Sequence, residues 1–259
     1  MDQARLIIDP PGDGAWNMAV DQALLETANK TGLVTFRFYR WVSPTLSLGY
    51  FQNSADRADH PPSVPCPFVR RRTGGGAIMH DQELTYSLCV PSANRWSSKN
   101  SDLYVTIHQI MIELLAQEGH QASLYRELGD PPPSKTADFP IATNIDPNAF
   151  MCFQRRSPGD VVLDGYKIVG SAQRRVQNAL LQHGSILLEK SKFAPELPGI
   201  REVCGSPMDV EKTIKKLKSA VENRLQICLN VGKLSKIEDD FARQAQIAFF
   251  GNRQWNSRR

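Results

Sequence analysis

Residues 161–169 read Val-Val-Leu-Asp-Gly-Tyr-Lys-Ile-Val. Asp-Gly between two apolar runs marks a tight hairpin turn, because both residues tolerate positive φ at little cost. The segment predicts two strands joined at Asp164-Gly165, so any fold for this chain must hold an antiparallel pair. Thr35 and Arg37 alternate with Val34, Phe36 and Phe38, which predicts another strand, and a further one is expected near 179–188. Helical spacing begins at Asn17-Met18-Ala19, after the Gly12-Asp13-Gly14 turn. A second long helix is expected with Asp102 as its cap, Leu103, Ile107, Ile110, Met111 and Leu114 on one face, and Gly119 at its end. These elements follow no regular βαβ period. The expected fold class is therefore α+β, a mixed, largely antiparallel sheet flanked by helices.

Beyond residue 205 the pattern turns helical. Val210, Ile214, Leu217, Val221 and Leu225 form one stripe, and 237–249 reads as a final helix. The expected organisation is a main domain over 1–204 with a helical extension over 205–259 packed on it. Within the main domain, Gly129, Pro131, Pro132, Pro133, Pro140 and Pro147 exclude regular structure from 127–148.

The chain has 259 residues, 41% of them hydrophobic and 22% charged, and no apolar run long enough for a membrane span. The run Leu6-Ile7-Ile8 is too short for a signal-peptide core, so a cytoplasmic protein is expected. The five cysteines, Cys66, Cys89, Cys152, Cys204 and Cys228, contain no Cys-x-x-Cys pair, which argues against a disulfide framework or a zinc site. The net charge of +4 is concentrated late: residues 201–259 hold 12 Lys/Arg against 7 Asp/Glu. A solvated helical face explains such a balance; steering toward an acidic partner protein is the functional alternative. Nucleic acid fits poorly, since acids are interleaved with the bases and no aromatic platform accompanies them.

Three clusters can carry chemistry. In Arg70-Arg71-Arg72-Thr73-Gly74-Gly75-Gly76-Ala77-Ile78-Met79-His80 the glycines let backbone approach a ligand, and their N–H groups can hold an oxyanion. No Gly-Lys-Ser/Thr follows, so this is not a P-loop. In Lys167-Ile168-Val169-Gly170-Ser171-Ala172 a strand lysine precedes small residues that would fit a tight pocket. Cys152-Phe153 has Arg155 and Arg156 nearby and Lys167 across the hairpin. Cationic neighbours favour the thiolate, the nucleophilic form. Cys89, inside an apolar strand pattern, reads as core. Taken singly, each cluster also has an ordinary structural reading: a glycine turn, a solvent-facing lysine, a packed thiol.

Together the clusters resemble the biotin/lipoate protein ligase family, whose members include lipoate–protein ligase A. The likeness spans about residues 6–200 and includes Asn17-Met18-Ala19, the glycine motif, the lysine motif and Gln182-His183-Gly184-Ser185; Gly251-Asn252-Arg253-Gln254-Trp255-Asn256 also resembles the end of such chains. The resemblance implies the family's catalytic-domain fold, with an acyl tail beside the glycine motif and Lys167 at the acyl carbonyl. It implies Cys152 and Lys167 as catalytic residues. It implies substrate binding by Arg70, Arg71, Thr73, Gly74, Gly75, Gly76, His80, Gly170, Ser171, Ala172, His183 and Gly184, with no metal ligand.

Within that family, Cys152-Phe153 and Gln182-His183-Gly184-Ser185 resemble the cysteine-dependent octanoyltransferases. Ligases tend to carry an Arg-Asn-Asp-like run where this chain reads Ser157-Pro158-Gly159-Asp160, and many have an accessory domain for which the tail is short. The expected activity is octanoyl transfer from acyl carrier protein to a lysine of a lipoyl acceptor domain. That acceptor would be the glycine-cleavage H protein or a 2-oxoacid dehydrogenase E2. No cofactor, nucleic acid or membrane is expected, and the state expected is a monomer. The alternatives are an ATP- and Mg2+-dependent lipoate–protein ligase, an amidotransferase between lipoyl domains, and a non-catalytic acyl- or protein-binding homologue. Biotin ligase proper is disfavoured because its glycine-arginine loop has no counterpart here.

Overall fold

The computed structural model describes residues 2–93, 100–126 and 148–259. In chain order the elements are β1 (Asp2–Ile8), α1 (Gly14–Thr31), β2 (Thr35–Tyr39), β3 (Thr45–Leu48), β4 (Phe68–Arg70), β5 (Ile78–His80), β6 (Glu83–Pro91), α2 (Asn100–Gln117) and β7 (Ala122–Leu124). After the undescribed stretch come β8 (Val161–Leu163), β9 (Tyr166–Arg175), β10 (Ala179–Leu187), α3 (Ile200–Cys204), α4 (Val210–Leu225), β11 (Ile227–Val231), α5 (Lys236–Ala245) and α6 (Arg253–Asn256). The main sheet runs β11-β1-β2-β6-β10-β9-β8-β7, and β4-β3-β5 form a smaller one. Among the described residues of the main sheet only β1 pairs in parallel, with β11 and β2; the remaining pairs are antiparallel. The expected fold class holds.

The hairpin forms where the sequence placed it. Asp164 and Gly165 adopt φ of 48° and 82°, and Leu163 faces Tyr166 across the turn. The helix α2 starts at Asn100, two residues ahead of Asp102, which is therefore inside the helix and not its cap. Its Leu103, Ile107, Ile110, Met111 and Leu114 are buried on one face of the main sheet, beside Ile214, Leu217, Val221 and Leu225 of α4. Each such fully buried side chain contributes about 1.5–3 kcal/mol. The opposite sheet face is covered by α1, and α5 packs against α1.

That second face explains β2. Alternation predicts one wet face, yet every β2 residue is buried. Arg37 points at α1, where its guanidinium donates to Asp21 Oδ1 at 2.8 Å and to the Asn17 carbonyl at 3.1 Å, and to Asp9 at 2.7 Å. The polar stripe of β2 is thus an internal ion-pair layer under a helix. The tail also differs from expectation. It is not wholly helical: Ile227–Val231 is a strand that extends the main sheet beside β1, and Cys228 lies in that strand and not in a helix. The stretch 127–147 of the proline-rich segment lies outside the described residues. Among the described residues no helix is long and apolar enough to cross a membrane.

Candidate active site

The glycine motif fills the loop between β4 and β5, and backbone hydrogen bonds tie it to the segment that carries Cys152. Ala77 N donates to the Phe150 carbonyl at 2.9 Å, and Cys152 N donates to the Ala77 carbonyl at 2.7 Å. The two segments run so close that a Cβ on Gly76 would lie 2.9 Å from Cys152 N and 3.0 Å from its Cα. Only glycine fits there without moving the backbone. Arg71 braces the loop from inside, donating to the carbonyls of Gly74 (2.9 Å), Gly76 (2.7 Å) and Ser47 (2.9 Å). Burial pushes this guanidinium down to about 10, with Cys152 acting in the opposite direction. It remains a cation at neutral pH.

Lys167 reaches the same point from β9. Its ammonium lies 3.6 Å from Cys152 Sγ and 3.3 Å from the Cys152 carbonyl, and 2.8 Å from Asp160 Oδ2. The lysine is 6% exposed, so it does not face water. Burial, the largest influence, acts to lower its pKa. The charges of Cys152 and Asp160 outweigh burial and hold it above the ordinary lysine value. Gly170 makes room, since a Cβ there would come 2.6 Å from Lys167 Cε. Asp160 is itself fixed: Tyr104 donates to Oδ1 at 2.8 Å and Ser157 N donates to Oδ2 at 2.7 Å. Asp160 was missed as a site residue. Its signal is a lone carboxylate just ahead of an apolar hairpin that carries a lysine.

A small pocket with about 40 Å3 of free interior space opens beside this pair. It is lined by Arg71, Gly74, Gly75, His80, Cys152, Gly170, Ser171, Ala172, His183 and Gly184, all foreseen, and by Met18, Tyr39, Ser47, Ile78, Thr85 and Ser185, which were not. Its largely apolar lining suits an acyl chain. Two polar networks form its walls. In the first, His183 Nδ1 lies 3.1 Å from Asp21 Oδ2 and its Nε2 lies 2.7 Å from Thr73 Oγ1. Burial acts to raise Asp21, but His183, Arg37 and Ser87 outweigh it and keep the carboxyl ionised. An acceptor-only carboxylate takes the Nδ1–H, so in the neutral ring Nε2 accepts the Thr73 hydroxyl proton. In the second, His80 stacks on Trp41 at 3.8 Å and sits between Glu83 Oε1 (2.5 Å) and Ser47 Oγ (2.6 Å). Burial lowers His80 despite Glu83.

Other predicted residues serve elsewhere. The Arg70 guanidinium donates through Nε and Nη1 to carbonyls of Gly49 (3.0 Å), Gln52 (2.6 Å) and Asn256 (3.1 Å), so it clasps the C-terminal segment and does not line the pocket. The Ser171 hydroxyl is committed as well. Burial pushes His108 down to about 4, leaving it neutral. Its Nδ1–H must donate to the Gly159 carbonyl at 2.6 Å, so its Nε2 accepts from Ser171 Oγ at 2.6 Å, and Tyr86 then donates to Ser171. This hydroxyl orders the strand and is not offered to a substrate oxyanion. Among the described residues no cluster of His, Cys, Asp and Glu is arranged to hold a metal.

The family described as lipoyl protein ligase A/B catalytic domain matches residues 13–228. The chain is similar to the octanoyltransferase LipM of Kyrpidia tusciae, 31% identical with 98% of each chain covered. It is also similar to that of Bacillus subtilis, 29% identical with 98% of each covered. Among solved structures it is similar to a bi-partite lipoate protein ligase from Thermoplasma acidophilum, with TM-score 0.75 at 19% identity over 99% of this chain and 97% of that one. A lipoate-protein ligase A bound with ATP gives the same TM-score, 0.75, at 19% identity and 98% coverage of each chain. At such identities these two describe a shared fold.

Proposed function

Because this chain belongs to the lipoyl protein ligase A/B catalytic-domain family, we propose that it transfers an octanoyl group from acyl carrier protein to a lysine of a lipoyl acceptor domain through a thioester on Cys152. One observation supports the cysteine route above the rest: Lys167 holds its ammonium 3.6 Å from Cys152 Sγ at the edge of a pocket with largely apolar lining. Relatives named octanoyltransferase LipM support the acyl group.

The Cys152 thiolate attacks the thioester carbonyl of the donor. A new C–S bond forms, the old one breaks, and the departing thiolate takes a proton. Lys167 stands ready both to hold the sulfur as an anion and to face the oxyanion. The acceptor lysine then attacks as the free amine, an amide forms, and Cys152 leaves as thiolate. Thioester to amide runs downhill, so no nucleotide is needed. We expect transfer from octanoyl–acyl carrier protein to an apo lipoyl domain to proceed in EDTA without ATP. Product formed only from free octanoate with ATP and Mg2+ would replace this reading with a ligase.

The second step needs a base, because the incoming amine is an ammonium at neutral pH. Lys167, raised and paired to Asp160, cannot serve. His183 can. It pairs with Ala172, one alternate position from the Ser185–Gly170 pair beside Cys152, or about 7 Å along the strand. Asp21 orients its ring and Thr73 carries its proton. His183→Gln should slow lysine transfer from the acyl-enzyme by about 100-fold. Hydroxylamine, already neutral, should cleave the same acyl-enzyme at the wild-type rate. Equal slowing of both nucleophiles would mean that His183 only shapes the pocket.

A further inference from the structure

Beyond the pocket, along β9, the protein carries more positive charge than this reaction uses. Alternate residues of β9 share a face, so Gly170, Ala172 and Arg174 form one track. Gly170 abuts Lys167 and Phe153, next to Cys152, and Ala172 lines the pocket. Arg174 donates to the Arg72 carbonyl at 2.9 Å, on the glycine-motif side. Four residues of strand place Arg174 about 13 Å from Gly170. Around Arg174 stand three more arginines. Arg72 lies over Phe249 at 4.3 Å and Trp255 at 5.3 Å. Arg258 lies over Tyr50 at 3.7 Å and Trp255 at 4.5 Å, and Arg259 over Phe51 at 5.6 Å. Phe51 is 68% exposed and is the side chain nearest Gly74. Ser54 fixes the tail here, its N and Oγ donating to the Arg259 carbonyl at 2.8 and 2.6 Å.

Among the described residues, none of these four guanidinium groups pairs with an Asp or Glu side chain, although other arginines of the chain do. Nε of Arg72 and of Arg174 is buried without a hydrogen-bond partner. A guanidinium stacked on a ring has its face occupied and keeps its N–H edge for hydrogen bonds, one of which Arg258 Nη2 donates to the Tyr50 carbonyl at 3.2 Å. Burial first, then the charges of Arg174 and Arg258, holds Arg72 below its usual range. Like charges gathered on rigid aromatic supports repel one another, and an anion relieves that repulsion.

We propose that this rim binds the phosphate group of the acyl donor, at the far end of a pantetheine arm whose thioester reaches Cys152. The assignment rests on the transferase reading for what the phosphate is attached to. Phosphate matches planar guanidinium forks better than a single carboxylate does. The track from Gly170 to Arg174 is comparable with the length of an extended pantetheine chain. The same chemistry could come from a nucleotide, so the test separates the two sources.

Acylation of Cys152 is followed by intact-protein mass spectrometry with octanoyl-pantetheine and with octanoyl-4′-phosphopantetheine. The phosphorylated donor should have kcat/KM about tenfold higher or more. Arg72→Gln and Arg258→Gln should bring that ratio toward one, with the phosphate-free donor as internal reference. ATP should compete weakly or not at all. A ratio near one in the wild type, or a ratio untouched by both substitutions, overturns the assignment. So does strong competition by ATP without a phosphate advantage. If neither thioester acylates Cys152, the transferase reading falls and takes this one with it. If both do so equally, only the rim assignment falls.

Discussion

Cys152→Ala should abolish acyl transfer and remove the octanoyl adduct, while Cys89→Ala and Cys228→Ala keep both. The contrast comes from where each thiol sits. Cys152 is half-buried, lines the acyl pocket and faces an ammonium. Cys89 is fully buried in β6, and burial raises it well above the usual thiol value, away from the nucleophilic form. Burial likewise raises Cys66, and pushes Cys204 up to about 11. Cys228 sits in edge strand β11, on the far side of β1 from the pocket-bearing strands. Loss of an enzyme's covalent nucleophile typically costs about 10⁴-fold or more in turnover. Cys89→Ala removes buried volume instead, which costs about 1 kcal/mol of stability through packing. Intact mass after incubation with octanoyl–acyl carrier protein reads the adduct, and thermal melts read the packing loss. An adduct that survives in Cys152→Ala would transfer the nucleophile to another residue.

The parts of this site that the sequence made legible are those fixed by local rules. Asp164-Gly165 sets the hairpin, the hairpin sets Lys167, and the three glycines announce a close backbone approach. Strand alternation also held an answer that went unused. Arg70 and Arg71 are neighbours at the end of β4, so their side chains leave on opposite sides. One grips the C-terminal segment, and the other braces the glycine loop. What stayed hidden is non-local. Asp21 lies on the buried face of α1, four residues after Asn17, as a helix register demands. Its partners Arg37, Ser87 and His183 come from β2, β6 and β10, and nothing in the chain order says that these strands are neighbours. The same holds for β11, whose pairing with β1 joins the first strand to the last.

Lys167→Met should slow alkylation of Cys152 at neutral pH and cut octanoyl transfer by about 100-fold or more. The side chain keeps most of its length and loses the charge 3.6 Å from the sulfur. It also strands Asp160, which is 1% exposed and, among the described residues, keeps only Tyr104 and Ser157 N as hydrogen-bond partners. Removing one member of a buried ion pair typically costs about 3–5 kcal/mol, so a folding defect could mimic a catalytic one. The double substitution Lys167→Met with Asp160→Asn removes both charges and should recover the melting temperature without recovering transfer. Lys167→Arg keeps a cation but must fit a wider planar head into the cleft that Gly170 leaves. It should hold alkylation closer to wild type and still lose transfer. The sign of the pH effect follows from the raised lysine value. The Lys167–Asp160 pair stabilises the fold fully below the ordinary lysine value and loses that contribution only as pH rises through the raised one. Stability near neutral pH is therefore insensitive to this lysine's titration, and a difference in alkylation there reports the charge beside the sulfur. Iodoacetamide labelling at Cys152 is measured for the wild type, both single variants and the double variant. If all four label at one rate, Lys167 does not activate the thiol, and its part in the reaction is confined to holding the acyl carbonyl.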